Sequence, residues 1–124
     1  MTIRILVADD SALVRKRLTA LLETHAGWKV CGEAENGQEA VAMAAELKPH
    51  LIILDLSMPV LDGLRAAREI STIMPALPIL MYTQHNYWEI ELEAKKFGVR
   101  RVVSKGGDAA ELFSAIETML SSDL

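Results

Sequence analysis

The sequence has little cysteine, no long apolar run and no basic tract, and each absence excludes a class of protein. Cys31 is the only cysteine, so no disulfide can form within the chain, and a reducing cytoplasm is the expected location. No apolar run approaches the roughly 18 residues that a membrane-spanning helix needs. The net charge is −4 and no basic tract is present, so direct binding of nucleic acid by this domain is not expected.

The N-terminal segment MTIRILVADDSALVRKR also lacks the features of a secretion signal. Acidic residues close its short apolar run, and no small-residue cleavage site follows. The chain has 124 residues, of which 51% are hydrophobic. This length and composition predict one domain over residues 1–124 with a substantial apolar core. In that core, Cys31 is expected to be a small apolar residue rather than a reactive thiol.

Short apolar segments alternate with amphipathic segments along the whole chain. The predicted strands are IRILVA (3–8), WKVCG (28–32), HLIILD (50–55), LPILMY (77–82) and RRVVS (100–104). The first, third and fourth are apolar on both faces, as in parallel strands that helices cover on both sides. A helical pattern follows each strand, with Asn36-Gly37 and Asp62-Gly63 typical of helix starts. Because such crossovers are right-handed, the pattern predicts a (βα)₅ α/β fold with an open parallel sheet in three layers.

Polar residues that can carry chemistry follow four of the predicted strands, where function gathers in open α/β sheets. These strand-end residues are Asp9 and Asp10, then Asp55, then Thr83, then Lys105. Each alone has an ordinary structural explanation, such as a helix cap, a turn residue or a solvated lysine. Their convergence on one edge of the sheet is much less easily explained in that way, and it predicts a functional site there.

The chemistry of this set favours phosphoryl transfer with Mg²⁺. Three carboxylates close together repel one another, and a hard cation with oxygen ligands relieves that repulsion. A carboxylate can act as the nucleophile and form an acyl phosphate. A lysine and a hydroxyl can hold the remaining phosphoryl oxygens.

Over essentially its whole length the sequence resembles the receiver domain of bacterial two-component response regulators. The motifs that carry the resemblance are V-A-D-D-S at 7–11, D-L-S-M-P-V-L-D-G at 55–63, a Thr that closes the fourth strand, and S-K-G at 104–106. The segment E-A-E-N-G-Q-E-A at 33–40 adds to them. The resemblance implies a flavodoxin-like fold with strand order 2-1-3-4-5.

The resemblance also implies a role for each strand-end residue. Asp55 would accept a phosphoryl group from a sensor histidine kinase or phosphotransfer protein. Asp10, Asp55 and the backbone carbonyl of Ser57 would bind Mg²⁺, with Asp9 acting largely through bound water. Thr83 would hydrogen-bond the phosphoryl group and move on activation, and Lys105 would pair with that group or, before it arrives, with Asp55. The domain would then be a signalling module, an enzyme only in its own phosphotransfer and dephosphorylation.

Several positions depart from the family pattern. Gly106 replaces the proline, commonly in a cis peptide, that usually follows the lysine, which predicts a looser or differently turned loop. Val102 stands where an aromatic switch residue is common, and Gln84 where a small residue is usual. We hypothesise that Tyr87 and Trp88 take part in the output change instead. His85 is a weaker candidate for controlling water access.

The fourth helix, fifth strand and fifth helix form the usual output surface of the family. Here this surface carries mixed charges, which suit an effector domain or a second copy of the chain: Glu89, Glu93, Lys95, Lys96, Arg100 and Arg101. The sequence is compatible with a complete regulator and with the receiver of a longer one. D-L-S-M-P and V-V-S-K look similar to receivers that carry a C-terminal helix-turn-helix.

Three other interpretations compete with the receiver. A haloacid dehalogenase type of aspartyl-phosphate hydrolase normally has a D-x-D pair, whereas Leu56-Ser57 follows Asp55. A flavodoxin-like nucleotide or flavin binder needs a phosphate loop after the first strand, where Asp9 and Asp10 would repel the anion. A pseudo-receiver that only binds partners is disfavoured by the intact set of strand-end residues.

Overall fold

The structure, a computed structural model, describes residues 1–84 and 88–121. Strands and helices alternate strictly in these residues. The strands are β1 (Ile3–Ala8), β2 (Trp28–Ala34), β3 (Leu51–Leu54), β4 (Ile79–Thr83) and β5 (Arg101–Ser104). The helices are α1 (Ala12–Leu22), α2 (Gly37–Leu47), α3 (Gly63–Ile73), α4 (Trp88–Lys96) and α5 (Ala109–Ser121).

The five strands form one parallel sheet in the order β2-β1-β3-β4-β5, which confirms the predicted flavodoxin-like fold. The register aligns the carboxyl ends of the strands. Ala8 lies beside Ala34 and Leu54, and Thr83 lies beside Ser104. The residues that follow β1, β3 and β5 therefore emerge at one edge, together with Thr83 at the end of β4.

Two apolar cores cover the two faces of the sheet, because side chains alternate along each strand. Leu6, Ile52 and Met81 belong to one core, whereas Ile5, Ile53 and Leu80 belong to the other. All four residues of β3 are buried, as expected for the central strand of a sheet covered on both sides.

Local signals in the sequence account for the helix boundaries. The side chains of Ser11, Asn36 and Asp62 cap α1, α2 and α3, each accepting a bond from the backbone N–H three residues ahead. Helix α2 ends at Leu47, and its C-cap residue Lys48, just before Pro49, has a left-handed φ of 47°. Helix α3 ends at Ile73, and its C-cap residue Met74 lies immediately before Pro75.

Strand boundaries differ from the prediction by up to two residues. β2 continues to Ala34, and β3 stops at Leu54, so that Asp55 lies just beyond the strand. β4 begins at Ile79, since Pro78 has no N–H to donate to the sheet. These shifts leave the order of elements unchanged.

Cys31 is half-buried and packs against the core that contains Leu6. Burial raises the pKa of its thiol, and the charge of Arg4 offsets this only in part. Within residues 1–84 and 88–121, no helix combines the length and the apolar character needed to cross a membrane.

Candidate functional site

Three carboxylates meet at the carboxyl edge of the sheet. Asp9 and Asp10 follow β1, and Asp55 follows β3. One oxygen atom from each lies within 4.8 Å of the others. Asp9 and Asp55 are buried, whereas Asp10 is exposed. A cluster of oxygen donors with one member open to solvent fits Mg²⁺, which keeps several waters when a protein binds it.

Lys105 projects from the end of β5 into this acidic cluster. Its Nζ atom lies 2.6 Å from Oδ2 of Asp9 and 3.3 Å from Oδ1 of Asp55. Burial alone would lower the pKa of Lys105, but the hydrogen bond to Asp9 and the charge of Asp55 outweigh it and raise that pKa. The lysine therefore carries a fixed positive charge. The shorter contact is with Asp9, whereas the family resemblance had implied a pairing with Asp55.

Asp9 has both carboxylate oxygens engaged. Oδ1 accepts a hydrogen bond from the backbone N–H of Ser11 at 2.9 Å, and Oδ2 accepts the bond from Lys105. The backbone N–H of Asp9 donates to the carbonyl of Ala34 at 3.1 Å. Its side chain is thus held by the protein itself more fully than that of Asp10.

Asp55 combines burial with charged neighbours. Its side-chain Oδ1 accepts a bond from the N–H of Leu56 at 2.9 Å, and its own N–H donates to the carbonyl of Ala8 at 2.9 Å. Desolvation raises the pKa of Asp55, and the nearby Lys105 only partly counteracts this, while Asp9 adds to the rise. Relative to an aspartate in water, this carboxylate gains more from a cation or a reaction that neutralises it.

The predicted residues line one cavity of about 350 Å³. Thr83 is almost completely buried at its wall, and Gln84 is exposed at its rim. The structure therefore brings together every side chain that the sequence had assigned to the site. The cavity is lined by Asp9, Asp10, Ser11, Val14, Asp55, Ser57, Thr83, Gln84 and Lys105.

Gly63 positions Asp55 in a way that the sequence prediction missed. Gly63 is the first residue of α3, and a Cβ atom on it would lie 2.0 Å from the backbone oxygen of Asp55. The N–H of Gly63 donates to the carbonyl of Leu56 at 2.8 Å. Only glycine lets α3 approach so closely. The Asp62-Gly63 pair had been interpreted as a helix start alone.

The turn between Asp55 and α3 contains a strained residue. Val60 has a φ of +68°, which is unusual for a β-branched residue. The N–H of Leu61 donates to the carbonyl of Pro59 at 2.7 Å across Val60, as in a γ-turn with positive φ. The Val60 side chain is 74% exposed, so apolar packing gives little compensation for its backbone conformation.

The loop at Lys105 is turned by hydrogen bonds. Lys105 N–H donates to the carbonyl of Thr83 at 2.9 Å, and Gly106 N–H donates to Oγ of Ser104 at 3.2 Å. A proline at position 106 could not make the second bond, because it has no N–H. No cis peptide bond occurs in residues 1–84 or 88–121.

Other expected switch residues contribute less to the described site. Val102 is half-buried and packs against one core. Trp88 begins α4 and is 68% exposed. His85 and Tyr87 lie outside the described residues, so the hypotheses that involve them remain untested predictions.

Comparison with known proteins gives consistent matches. The family model for the response regulator receiver domain matches residues 5–117. A protein-glutamate methylesterase/protein-glutamine glutaminase 1 from Shewanella denitrificans is 51% identical over 83 residues, which are 67% of this chain and 21% of that protein. This chain spans between 21% and 30% of the length of three such curated relatives.

Solved structures of response regulators have the same fold as this chain. A two-component response regulator of the LuxR family from Aurantimonas sp. SI85-9A1 superposes with a TM-score of 0.95 at 34% identity, over 98% of this chain and 87% of that one. The response regulator domain of Thermotoga maritima CheB superposes with a TM-score of 0.91 at 31% identity, over 98% of both chains.

Proposed function

Because this chain belongs to the family of response regulator receiver domains, we propose that Asp55 is its phosphoacceptor. The donor is a phosphohistidine on a sensor histidine kinase or a phosphotransfer protein. The observation that carries the proposal is the position of Asp55 in one cavity with Asp9, Asp10 and Lys105. Burial also raises the pKa of Asp55, so neutralising its charge is more favourable than for an aspartate in water.

The proposed reaction transfers one phosphoryl group between two nucleophiles. A carboxylate oxygen of Asp55 forms a bond to phosphorus as the P–N bond to the donor imidazole breaks. The electron pair of that bond returns to the imidazole, which takes a proton from solvent, and the product is an acyl phosphate. Hydrolysis later breaks the P–O bond, releases inorganic phosphate and restores the carboxylate.

The residues around Asp55 position and neutralise the transferred group. The ammonium group of Lys105 forms an ion pair with Asp9, and its Nζ atom also lies 3.3 Å from Oδ1 of Asp55. It can therefore bond a phosphoryl oxygen on Asp55 without leaving the site. Thr83 lines the same cavity and supplies a hydroxyl. This arrangement stabilises charge on the phosphoryl oxygens by positioning alone.

Mg²⁺ is the proposed cofactor, held by Asp10, Asp55 and the backbone carbonyl of Ser57. When bound, it neutralises charge on the phosphoryl oxygens. Asp9 is assigned an indirect role, through bound water, because both of its carboxylate oxygens already accept hydrogen bonds from the protein. Asp10 is exposed, so the cation can displace the solvent water around its carboxylate.

The proposed output is a population shift between two states that the phosphoryl group stabilises unequally. Thr83 and Lys105 are the residues that sense the group, and β4 and β5 carry the change to α4 and α5. The exposed charges there, which include Glu93 and Lys96 joined at 3.9 Å, suit an effector domain or a second copy.

The matched relatives suggest two kinds of effector for a longer protein. Methylesterase/glutaminase relatives and a LuxR-family regulator share this receiver. We propose that the domain works in the cytoplasm and that any catalytic output lies in a separate domain. The domain itself catalyses only its own phosphotransfer and dephosphorylation.

A small phosphodonor tests the proposal without knowledge of the kinase. The protein is incubated with acetyl phosphate and Mg²⁺, and its intact mass is measured. We expect a gain of one phosphoryl group in the wild type and none in Asp55→Asn or without Mg²⁺. An unmodified wild type would instead favour a pseudo-receiver that only binds partners.

A further inference from the structure

Arg15 is a buried charged residue that the proposed reaction does not use. It lies in the second turn of α1 and is only 8% exposed. Burying a guanidinium is costly unless its N–H groups find partners. Its contacts therefore show what the chain gains by placing a charge at this position.

The guanidinium of Arg15 joins three segments at the edge of the sheet. Nη1 donates to the backbone carbonyl of Asp9 at 2.7 Å. Nε donates to Oε1 of Glu33 at 3.1 Å, and Nη2 lies 3.7 Å from Oε1 of Glu35. Glu33 is in β2 and Glu35 follows it, so Arg15 connects α1 both to the end of β2 and to the backbone of Asp9.

The bond to Asp9 acts on the peptide unit that precedes Asp10. The carbonyl of Asp9 belongs to the same planar peptide as the N–H of Asp10. The amide side of Asp9 is already held by Ala34, and its carboxylate by Ser11 and Lys105. Without Arg15, the peptide that joins the two acidic residues would lose its partner on the carbonyl side.

We propose that Arg15 is a positioning residue for the Mg²⁺ site, fixing the Asp9–Asp10 peptide while Glu33 and Glu35 orient its guanidinium. This inference rests on the proposed function, because it assumes that Asp10 is a metal ligand. Residues that orient metal ligands typically affect metal affinity by about 10- to 100-fold. A purely structural role in joining α1 to β2 would affect stability instead.

The test measures Mg²⁺ affinity of the purified chain by calorimetric titration with Mg²⁺ alone. Arg15→Met keeps the apolar stem and removes the fork of donors. We expect its Mg²⁺ dissociation constant to rise by about 10-fold. Phosphorylation by acetyl phosphate should slow at low Mg²⁺ and recover at saturating Mg²⁺, because the acceptor Asp55 is untouched.

Two further variants separate position from charge and from folding. Lys16→Met removes the same charge from an exposed neighbour on α1, and its Mg²⁺ affinity should match the wild type. Arg15→Lys keeps the charge but cannot contact Asp9 and both glutamates as a fork. Arg15→Lys should bind Mg²⁺ more weakly than the wild type. If Arg15→Met does not fold, the Mg²⁺ affinity of Arg15→Lys tests the positioning role instead.

The outcomes distinguish this inference from the proposed function. A wild type that does not bind Mg²⁺ would overturn the proposed metal site and the inference with it. A wild type that binds Mg²⁺, beside a folded Arg15 variant of equal affinity and lower melting temperature, would overturn the positioning role alone. If Lys16→Met weakened Mg²⁺ binding as much as the Arg15 variants do, the loss of affinity would be due to net charge alone. That result would also overturn the positioning role of Arg15.

Discussion

At the scale of single residues, Asp55 is a charge that the fold keeps at a cost. Its side chain is buried next to Asp9, and desolvation raises its pKa from the ordinary value of 3.8 despite the nearby Lys105. The folded protein therefore binds the Asp55 proton more tightly than the unfolded chain does. The contribution of Asp55 to the free energy of unfolding then falls as pH rises from 3.8 through the raised pKa.

Asp55→Asn should accordingly stabilise the protein at neutral pH in the absence of Mg²⁺. The substitution removes the buried charge and leaves Lys105 paired with Asp9. We expect a gain of about 1 kcal/mol at pH 7, the usual size of a single-residue effect. The gain should shrink as pH falls through the raised pKa of Asp55 and vanish well below 3.8, where Asp55 is protonated in both the folded and the unfolded state. Urea denaturation at several pH values measures it, and a loss of stability at pH 7 would contradict the account.

Two glycines near the site should differ in their tolerance of an added methyl group. At Gly63 a Cβ would meet the Asp55 backbone oxygen at 2.0 Å, whereas at Gly106 the nearest neighbour is Oγ of Ser104 at 3.8 Å. Gly63→Ala should cost about 1–3 kcal/mol, as overpacking does, and should slow phosphorylation by displacing Asp55. Gly106→Ala is the matched control.

We expect Gly106→Ala to keep the stability of the wild type within about 0.5 kcal/mol. Chemical denaturation and acetyl phosphate labelling of both variants provide the comparison. Equal effects at the two positions would mean that α3 does not need its close approach to Asp55.

At the scale of elements, the turn from β3 to α3 stores backbone strain at Val60. A positive φ costs an L-residue roughly 1–2 kcal/mol, and glycine avoids this cost. Val60 is largely exposed, so Val60→Gly loses little packing. We expect a net stabilisation of up to about 1 kcal/mol after the entropy that glycine adds to the unfolded chain.

Thermal denaturation of Val60→Gly measures this effect, with Ile73→Gly as its control. Ile73 is also exposed, at 52%, but it lies in the last turn of α3. A glycine at this helical position should destabilise the protein by about 1 kcal/mol. Destabilisation of similar size in both variants would show that Val60 carries no strain.

The elements were predictable from the sequence where local chemistry decides them. Asn36 and Asp62 cap helices through bonds from the backbone N–H groups three positions ahead, and the short apolar run at 51–54 is typical of a buried strand. The edge of the sheet on which Asp9, Asp55 and Lys105 meet followed from the parallel topology alone.

Other features depend on contacts that no local pattern encodes. The Lys105–Asp9 pair joins residues 96 positions apart, and its preference over Asp55 depends on side-chain geometry. Arg15 is a charged residue of α1, yet it is buried while the apolar Val14 and Leu21 of the same helix are only half-buried. A β-branched residue such as Val60 prefers a negative φ, so local propensity predicts a negative φ where the structure has a positive one.

At the scale of the whole molecule, Mg²⁺ binding and folding should be coupled. A ligand that binds only the folded state stabilises it by about 2.7 kcal/mol at 100 times its dissociation constant. Mg²⁺ should therefore raise the melting temperature of the wild type relative to EDTA. Asp10→Asn should lose this increase, whereas Glu46→Gln, an exposed carboxylate on α2, should keep it.

The same coupling predicts a pH dependence. Protons compete with Mg²⁺ for Asp55, whose pKa is raised, so the Mg²⁺-dependent increase in melting temperature should weaken as pH falls through that pKa. Thermal scans with and without Mg²⁺ across the acidic range measure this dependence. An increase that is independent of pH would place the cation away from Asp55.

The central claim, that Asp55 accepts the phosphoryl group, is tested most directly by locating the modification. The phosphorylated protein is treated with borohydride, which reduces an acyl phosphate to an alcohol, and its peptides are sequenced by mass spectrometry. We predict that homoserine replaces aspartate at position 55 and nowhere else. A homoserine at Asp9 or Asp10, or a borohydride-resistant phosphate on Ser57 or Thr83, would contradict the account.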